Sequence, residues 1–461
     1  MGDSFFKTPT FESSKMKPDN QAGFNRGVVT QFEVGSFTSD PLLYSPPRAR
    51  GRSDLPIPRG GRKVGSATAQ KNASAAPPIA AGYCPSSYFS LSYCDSDDWS
   101  NQFNLFKTHA KIFILKAVRF NTFGGAEVLR YEESPKPVIG PNDILLEIKA
   151  CALNHLDLWI RSGARERNIP LPHIPGSDGA GIIAEVGTAV DFLKAGERVL
   201  ISPGISCGHC PACLGGHDNL CKDYHVLGTR ENGTYAGFVK LTAANVLPIP
   251  LGLDFNQAAA VPLVFLTAWH MLVTLARVRK GETVLVHGAG SGVGSAGIQI
   301  AKLFGARVIT TAGSDEKLTK AKELGADELI NYREKDFVEE LKRITEKRGV
   351  DVILEHIGGE VFEKSITVLA KGGRLVTCGA TTEYMAKLDI RYVYSRHQTI
   401  HGSWMGTKSE LVEVLKLFSS GNDSRPFLRP VVDSVFPLSQ AADAQRRMEE
   451  RKNFGKIVLT L

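Results

Sequence analysis

The sequence predicts an α/β fold in two parts, behind a disordered extension. Three observations point to it. From about Asn256 onward, strand and helix signals alternate, the pattern of a parallel sheet wrapped by helices. One strand of that series runs straight into a glycine-rich loop and then a helix. Ahead of it, residues 114–263 read as short strands cut by Gly and Pro turns, a β-rich unit.

The chain has 461 residues, enough for two or three domains, and 43% of them are hydrophobic, so sizeable cores can form. Residues 1–113 are different. They are rich in Ser, Pro, Gly, Asn and Asp and show no sustained period, the composition of a disordered extension. No apolar stretch follows a basic start, so a secretory signal is not expected. Phe6 stands where a myristoylation signal has Ser or Thr, and Asp3, Glu12 and Asp19 argue against a transit peptide. A targeting leader and a misplaced gene start are the alternatives.

The net charge of +7 is scattered. Its densest cluster, Arg48, Arg50 and Arg52, has no interleaved aromatics, so nucleic acid is not an expected partner. No apolar run approaches the roughly 20 residues needed to cross a bilayer, so no membrane association is expected. Of the 8 cysteines, Cys84, Cys94, Cys151 and Cys378 are dispersed, which suits a reducing, cytoplasmic setting, with organellar targeting by the extension left open.

In the β-rich unit, residues 115–120 alternate as an edge strand would, and 143–150, 179–187 and 198–201 read as further strands. A helical stretch covers 258–272. Strands follow at 283–287, 307–311, 351–355 and 374–378, with helices at 297–304 and 317–324 between the first three. An amphipathic helix near Leu411–Leu417 and a strand at 456–460 close the chain.

Cys207, Cys210, Cys213 and Cys221 lie in one short stretch. Closely spaced thiolates fold a loop round one tetrahedral zinc, and the intervening Pro and Gly permit the turns. Disulfides or free thiols are the competing reading. With four cysteines and no open position, such a zinc is structural, and the chemistry lies elsewhere.

Residues 284–296 place Gly288, Gly290, Ser291, Gly292, Val293 and Gly294 between a buried strand and a helix. Glycines let the backbone approach a pyrophosphate, and the helix start offers free N–H groups. Val293 departs from the strict spacing, and a tight turn without ligand is the bland alternative. The next strand ends near Ala312, small and uncharged, where an NAD site usually carries an acid. Asp315 and Glu316 come later, at a helix start, where capping explains them. Ser314, Lys317 and Tyr332 could contact a 2′-phosphate, so NADPH is the expected cofactor and NADH the alternative.

From about Leu115 to Leu461 the chain resembles the medium-chain dehydrogenase/reductases, the superfamily of zinc-containing alcohol dehydrogenases and quinone oxidoreductases. The residues that carry the likeness are 154–163, 176–181, the cysteine lobe, the glycine loop and the closing 454–458. The resemblance implies a GroES-like catalytic domain formed by residues 114–263 and 401–461, with a Rossmann domain at 264–400 inserted between them. It implies a cleft with nicotinamide at its floor, cofactor contacts from Thr267 and Gly379, a small-molecule substrate, and a homodimer or homotetramer.

Against that family, Asn154 falls where a catalytic zinc takes its first Cys, Ser177 where it takes His, and Phe265 near the third ligand. Asn and Ser are not usual zinc ligands and Phe cannot be one. One structural zinc and no catalytic metal is therefore the expectation. A displaced site drawn from Cys151, His155, Asp157, His173 and Asp178 is the alternative. The expected activity is NADPH-dependent reduction of an enone, quinone or enoyl thioester. Asn154 is its expected oxyanion donor, Ser177 a second donor, His155 or solvent the proton source, and Asp157 an orienting acid. A zinc-dependent alcohol dehydrogenase and a cofactor-binding protein without catalysis are the competing readings.

Overall fold

The computed structural model describes residues 114–164, 168–419 and 427–461, so the expected disordered extension lies outside the described residues. The chain enters through β1 (Ile114–Arg119), β2 (Arg130–Pro135), β3 (Asp143–Ala152) and α1 (His155–Ser162). It continues through β4 (Asp178–Val186), β5 (Arg198–Ile201), β6 (Gly204–Ile205), α2 (Pro211–Leu214), β7 (His225–Val226), β8 (Phe238–Thr242) and β9 (Val246–Pro248). Next come α3 (Phe255–Ala259), α4 (Pro262–Trp269), β10 (Thr283–Val286), α5 (Gly292–Leu303), β11 (Arg307–Ala312), α6 (Asp315–Glu323) and β12 (Glu328–Asn331). Then follow α7 (Phe337–Ile344), β13 (Val350–Glu355), α8 (Gly359–Val368), β14 (Leu369–Thr377), α9 (Ile390–Ser395) and β15 (Thr399–Gly402). The end of the chain forms α10 (Lys408–Lys416), β16 (Val432–Pro437), α11 (Ala441–Glu449) and β17 (Lys456–Thr460).

Two sheets dominate. One runs β16-β17-β3-β4-β5-β9, with β8 also paired to β3. Here β17, from the end of the chain, pairs antiparallel with β3, joining Val458 to Ala152 and Leu459 to Cys151. The other is parallel, in the order β12-β11-β10-β13-β14-β15. All four residues of β10 are buried, as expected for a central strand covered on both faces. After β12 the chain crosses to the other side of β10, so the strand order reverses between β10 and β13. Such a switch point opens a crevice beyond the strand ends, and the glycine loop lies there.

The expected helix at 258–272 is broken. Pro262 has no N–H to donate to the carbonyl of Ala258, so the helical ladder is interrupted there: α3 ends at Ala259 and Pro262 opens α4. Beyond Trp269 the turns widen to a π-helix over His270–Leu275. Among the described residues no helix is long and apolar enough to cross a membrane.

Candidate functional site

A cavity of about 630 Å³ lies at the switch point. The glycine loop supplies Gly288, Gly290, Ser291, Gly292 and Val293 to its wall; α4 supplies Val264 and Thr267; α1 and the residue before it supply Asn154, His155 and Trp159. Gly379 and Lys317 also border it, as does Tyr332. Sequence-predicted residues more than 100 positions apart therefore meet around one space.

The loop fits a dinucleotide. Gly288 turns with φ at +63°, and a Cβ on Gly294 would lie 2.2 Å from the Gly288 carbonyl oxygen, so neither bulk nor a different path fits. Ser291 caps α5 by accepting from the Gly294 N–H at 2.8 Å. The start of this twelve-residue helix faces the cavity with its orphan N–H groups, a site for a pyrophosphate.

At the tip of β11, Ala312 is buried and Gly313 follows. A Cβ on Gly313 would meet the Tyr332 hydroxyl at 2.6 Å and Arg333 Nε at 3.3 Å. Lys317 reaches the carbonyl of Arg451 with its Nζ at 2.5 Å, and Arg451 itself borders the cavity. Asp315 is turned away, accepting from Asn331 Nδ2 at 3.0 Å. The tip thus gathers cations, of which Arg333 and Arg451 were missed in the sequence. Ser314 is the N-cap of α6, accepting from the Lys317 N–H at 3.4 Å, and does not border the cavity.

The four expected catalytic residues have different surroundings. Asn154 lines the cavity, but its amide is already engaged: Nδ2 donates to Asp178 Oδ2 at 2.9 Å and Oδ1 accepts from Lys456 Nζ at 2.5 Å. Its backbone N–H goes to Asp157 at 2.8 Å, so Asp157 is a cap for α1, buried and also bonded by Tyr235. Burial pushes the Asp157 carboxyl up to about 6. Ser177, the expected second donor, donates to the Leu227 carbonyl at 2.8 Å and is not among the residues of the cavity wall. Phe265 packs edge-on against Phe418, ring centres 4.9 Å apart, again in the core. His155 does line the cavity, its ring edge-on to Trp159 at 5.0 Å, with a pKa lowered chiefly by burial.

The displaced-metal donors do not converge among the described residues. His173 bonds the Gly228 carbonyl at 2.9 Å, and Cys151 is a fully buried thiol in β3 with its pKa pushed up by burial. Asp178 accepts from Lys456 Nζ at 2.9 Å and from the Leu263 N–H at 3.0 Å. Lys456, 3% exposed on β17 and bordering the cavity, went unnoticed in the sequence apart from its place in the closing motif.

The cysteine lobe is separate. The sulfurs of Cys207, Cys210, Cys213 and Cys221 all lie within 4.8 Å of one another, with Cys207–Cys213 at 3.9 Å and Cys210–Cys213 at 3.5 Å. At those separations the sulfurs are not bonded to one another, and the distances match the roughly 3.8 Å edge of a tetrahedron built on Zn–S bonds of about 2.3 Å. N–H groups of Cys207 and Asp223 point at Cys221 Sγ, both at 3.4 Å, so the backbone is already set to hold thiolates.

The fold and the cavity define an oxidoreductase of the pyridine-nucleotide-binding kind. Residues 140–251 match the family described as "Alcohol dehydrogenase GroES-like domain", and 292–420 match "Zinc-binding dehydrogenase". The quinone oxidoreductase of Homo sapiens is 31% identical over 352 residues, 76% of this chain and 98% of that protein. A solved structure titled NAD-dependent alcohol dehydrogenase is 47% identical, with a TM-score of 0.72, covering 75% of this chain and 99% of that one. A thermostable alcohol dehydrogenase from Pyrobaculum aerophilum is 30% identical with a TM-score of 0.68, over 76% of this chain and 100% of its own. The chain belongs to the medium-chain dehydrogenase/reductase superfamily.

Proposed function

We propose that this oxidoreductase is an NADPH-dependent reductase of activated C=C bonds or quinones, working without a catalytic metal and braced by one structural zinc on Cys207, Cys210, Cys213 and Cys221. The observation that carries the reading is the fate of the three ligand positions. Asn154 is bonded to an ion pair, Ser177 is tied to Leu227 and Phe265 is packed on Phe418. An ammonium 2.5 Å from Asn154 Oδ1 further disfavours a dication at that place.

Held by its pyrophosphate at the glycine loop, a reduced nicotinamide nucleotide would supply a hydride to an electrophilic carbon. The chain's part is to hold and to polarise. The start of α5 takes the pyrophosphate, while Lys317, Tyr332 and Arg333 face a 2′-phosphate. Thr267, Trp159 and Met405 wall the space in which the substrate lies. A homodimer is part of the same reading: β15 is an edge strand, and Tyr384, Met385, Ile390 and Tyr394 are exposed in the segment before it. A cytoplasmic setting is part of the same reading, since a four-thiolate zinc site needs its cysteines reduced.

A second reading is favoured by the 47% identical structure titled NAD-dependent alcohol dehydrogenase: a zinc-dependent alcohol dehydrogenase using NADH. Two measurements separate the readings. Purified protein is assayed with NADPH and with NADH against enones, quinones and aldehydes, and its zinc is counted. One zinc per chain with NADPH-driven enone or quinone turnover supports the first. Two zincs with alcohol oxidation by NAD would replace it.

A further inference from the structure

We propose that Lys456 is the group that stabilises the oxyanion in this cleft, standing in for the missing metal, with Asp178 and Asn154 as its positioning residues. The inference rests on the reductase reading and deepens it: the substrate is one whose reduction throws negative charge onto oxygen, a conjugated carbonyl compound or a quinone.

Placement comes first. Lys456 follows Gly455, whose N–H donates to the Gly290 carbonyl at 2.9 Å, so β17 is fastened to the glycine loop. The lysine stem passes Gly292 closely enough that a Cβ there would lie 3.0 Å from its Cδ. Its head reaches Asn154 Oδ1 and Asp178 Oδ2. The side chain thus runs from the phosphate-binding loop to the position of the absent zinc ligand, along the cavity wall.

Donor counting comes second. Asn154 has committed one amide N–H to Asp178, and its other approaches the Ala152 carbonyl at 3.5 Å. It has little left to give a substrate. An ammonium carries three N–H donors, and Asn154 and Asp178 take two. One N–H is committed to neither, and Lys456 borders the cavity. A buried cation with a spare donor is a stronger oxyanion partner than a neutral amide, because charge-assisted hydrogen bonds are roughly twice as strong and water screens them little here.

The step balances as follows. The substrate receives hydride, with two electrons, at its β-carbon. The C=C π pair moves toward the α-carbon and oxygen, the oxyanion accepts the Lys456 N–H as a hydrogen bond, and solvent protonates the α-carbon. The reductant oxidised is the reduced nicotinamide nucleotide. For a quinone the same bond stabilises the hydroquinone anion until solvent protonates it.

Removing Lys456 alone would strand Asp178 as a buried, unpaired charge, which endangers the fold itself. The test therefore uses the double variant Lys456→Met with Asp178→Asn, and Lys456→Arg beside it. The probe is 4-nitrophenol, bound to protein loaded with NADP⁺ at a pH where the free phenol is mostly protonated. Wild type is expected to bind it as the phenolate, seen as the visible absorption band. Lys456→Arg should keep that band. The double variant should lose it, bind the probe at least about tenfold more weakly, keep NADPH affinity within about threefold, and reduce an enone about a hundredfold more slowly in kcat. Wild type that binds only the neutral phenol would overturn the proposal whether or not the variants fold. So would a folded double variant with the phenolate band and kcat intact. If wild type shows the band but reduces no enone or quinone, the substrate reading falls while the cation site stands.

Discussion

A carboxylate at the tip of β11 would accept from a ribose 2′-hydroxyl and repel a 2′-phosphate. The tip has instead Ala312 and Gly313 beside Tyr332 and Arg333, with Lys317 one helical turn on. Ala312 is 2% exposed, so an acid placed there would also suffer burial; the cations give a cleaner test. Replacing Lys317 and Arg333 together by Ala should weaken NADPH binding about tenfold or more, since a charged hydrogen bond contributes about 1.5–3 kcal/mol. NADH binding should barely change, and titration calorimetry with both nucleotides would show whether it does. A second residue-level expectation concerns pH. Burial pushes the His287 imidazole down to about 3 and that of His356 to about 4, against about 6.5 in an unfolded chain. Between those values the unfolded chain holds protons the folded one lacks, so stability falls on acidification from pH 6.5. Asp157, raised to about 6, works the other way below that value, since the folded form keeps a proton that the unfolded one has lost. His287→Gln should therefore show a smaller drop in Tm from pH 7 to pH 5 than wild type, measured by circular dichroism. Equal drops would mean that His287 already carries its proton in the folded state.

At the level of elements, the glycine loop and the cysteine lobe were readable because each is local. Their residues are neighbours in sequence, and the spacing states the geometry. Gly294→Ala should abolish or at least strongly weaken nucleotide binding and lower Tm, because the new methyl would sit 2.2 Å from a backbone oxygen that cannot swing away. Retained wild-type affinity would mean that the loop relaxes freely. Cys210→Ser should lower both metal content and Tm, since a closed four-thiolate site contributes its binding energy to folding; a purified variant with full zinc and unchanged Tm would remove the zinc assignment. What the sequence hid is long-range. Lys456 pairs with Asp178, 278 positions away, and with Asn154, 302 away. The available signal was a lysine at the head of a buried strand, and lysines are seldom fully buried without a partner. Arg333 and Arg451 were missed for the same reason: exposed cations look alike until the fold sets them beside the β11 tip. The Ser177 hydroxyl could be placed at a ligand position by resemblance, but its bond to Leu227 depends on a turn 50 residues on.

On the scale of the whole molecule, the cavity wall is drawn from both sheets and from the last strand of the chain. Asn154 follows β3, Lys456 belongs to β17, and Gly288–Gly294 follow β10. A nucleotide held there touches parts that unfolding would separate, so binding is coupled to global stability. A ligand that binds only the folded state stabilises it by RT ln(1 + [L]/Kd), about 2.7 kcal/mol when present at 100 times its Kd. This gives a test of cofactor choice that needs no substrate. NADPH should raise Tm by a few degrees and sharpen a single transition. NADH at the same concentration should raise it less, because the 2′-hydroxyl meets no acceptor at Ala312 and leaves Lys317 and Arg333 without their anion. The Lys317/Arg333 double variant should bring the two shifts together. A larger shift with NADH than with NADPH in wild type would assign the β11 cations to the protein surface alone and favour the NAD-dependent alcohol dehydrogenase reading. Two separate transitions, only one of them moved by nucleotide, would show that the cavity belongs to the parallel-sheet part alone and that Lys456 does not bridge to it.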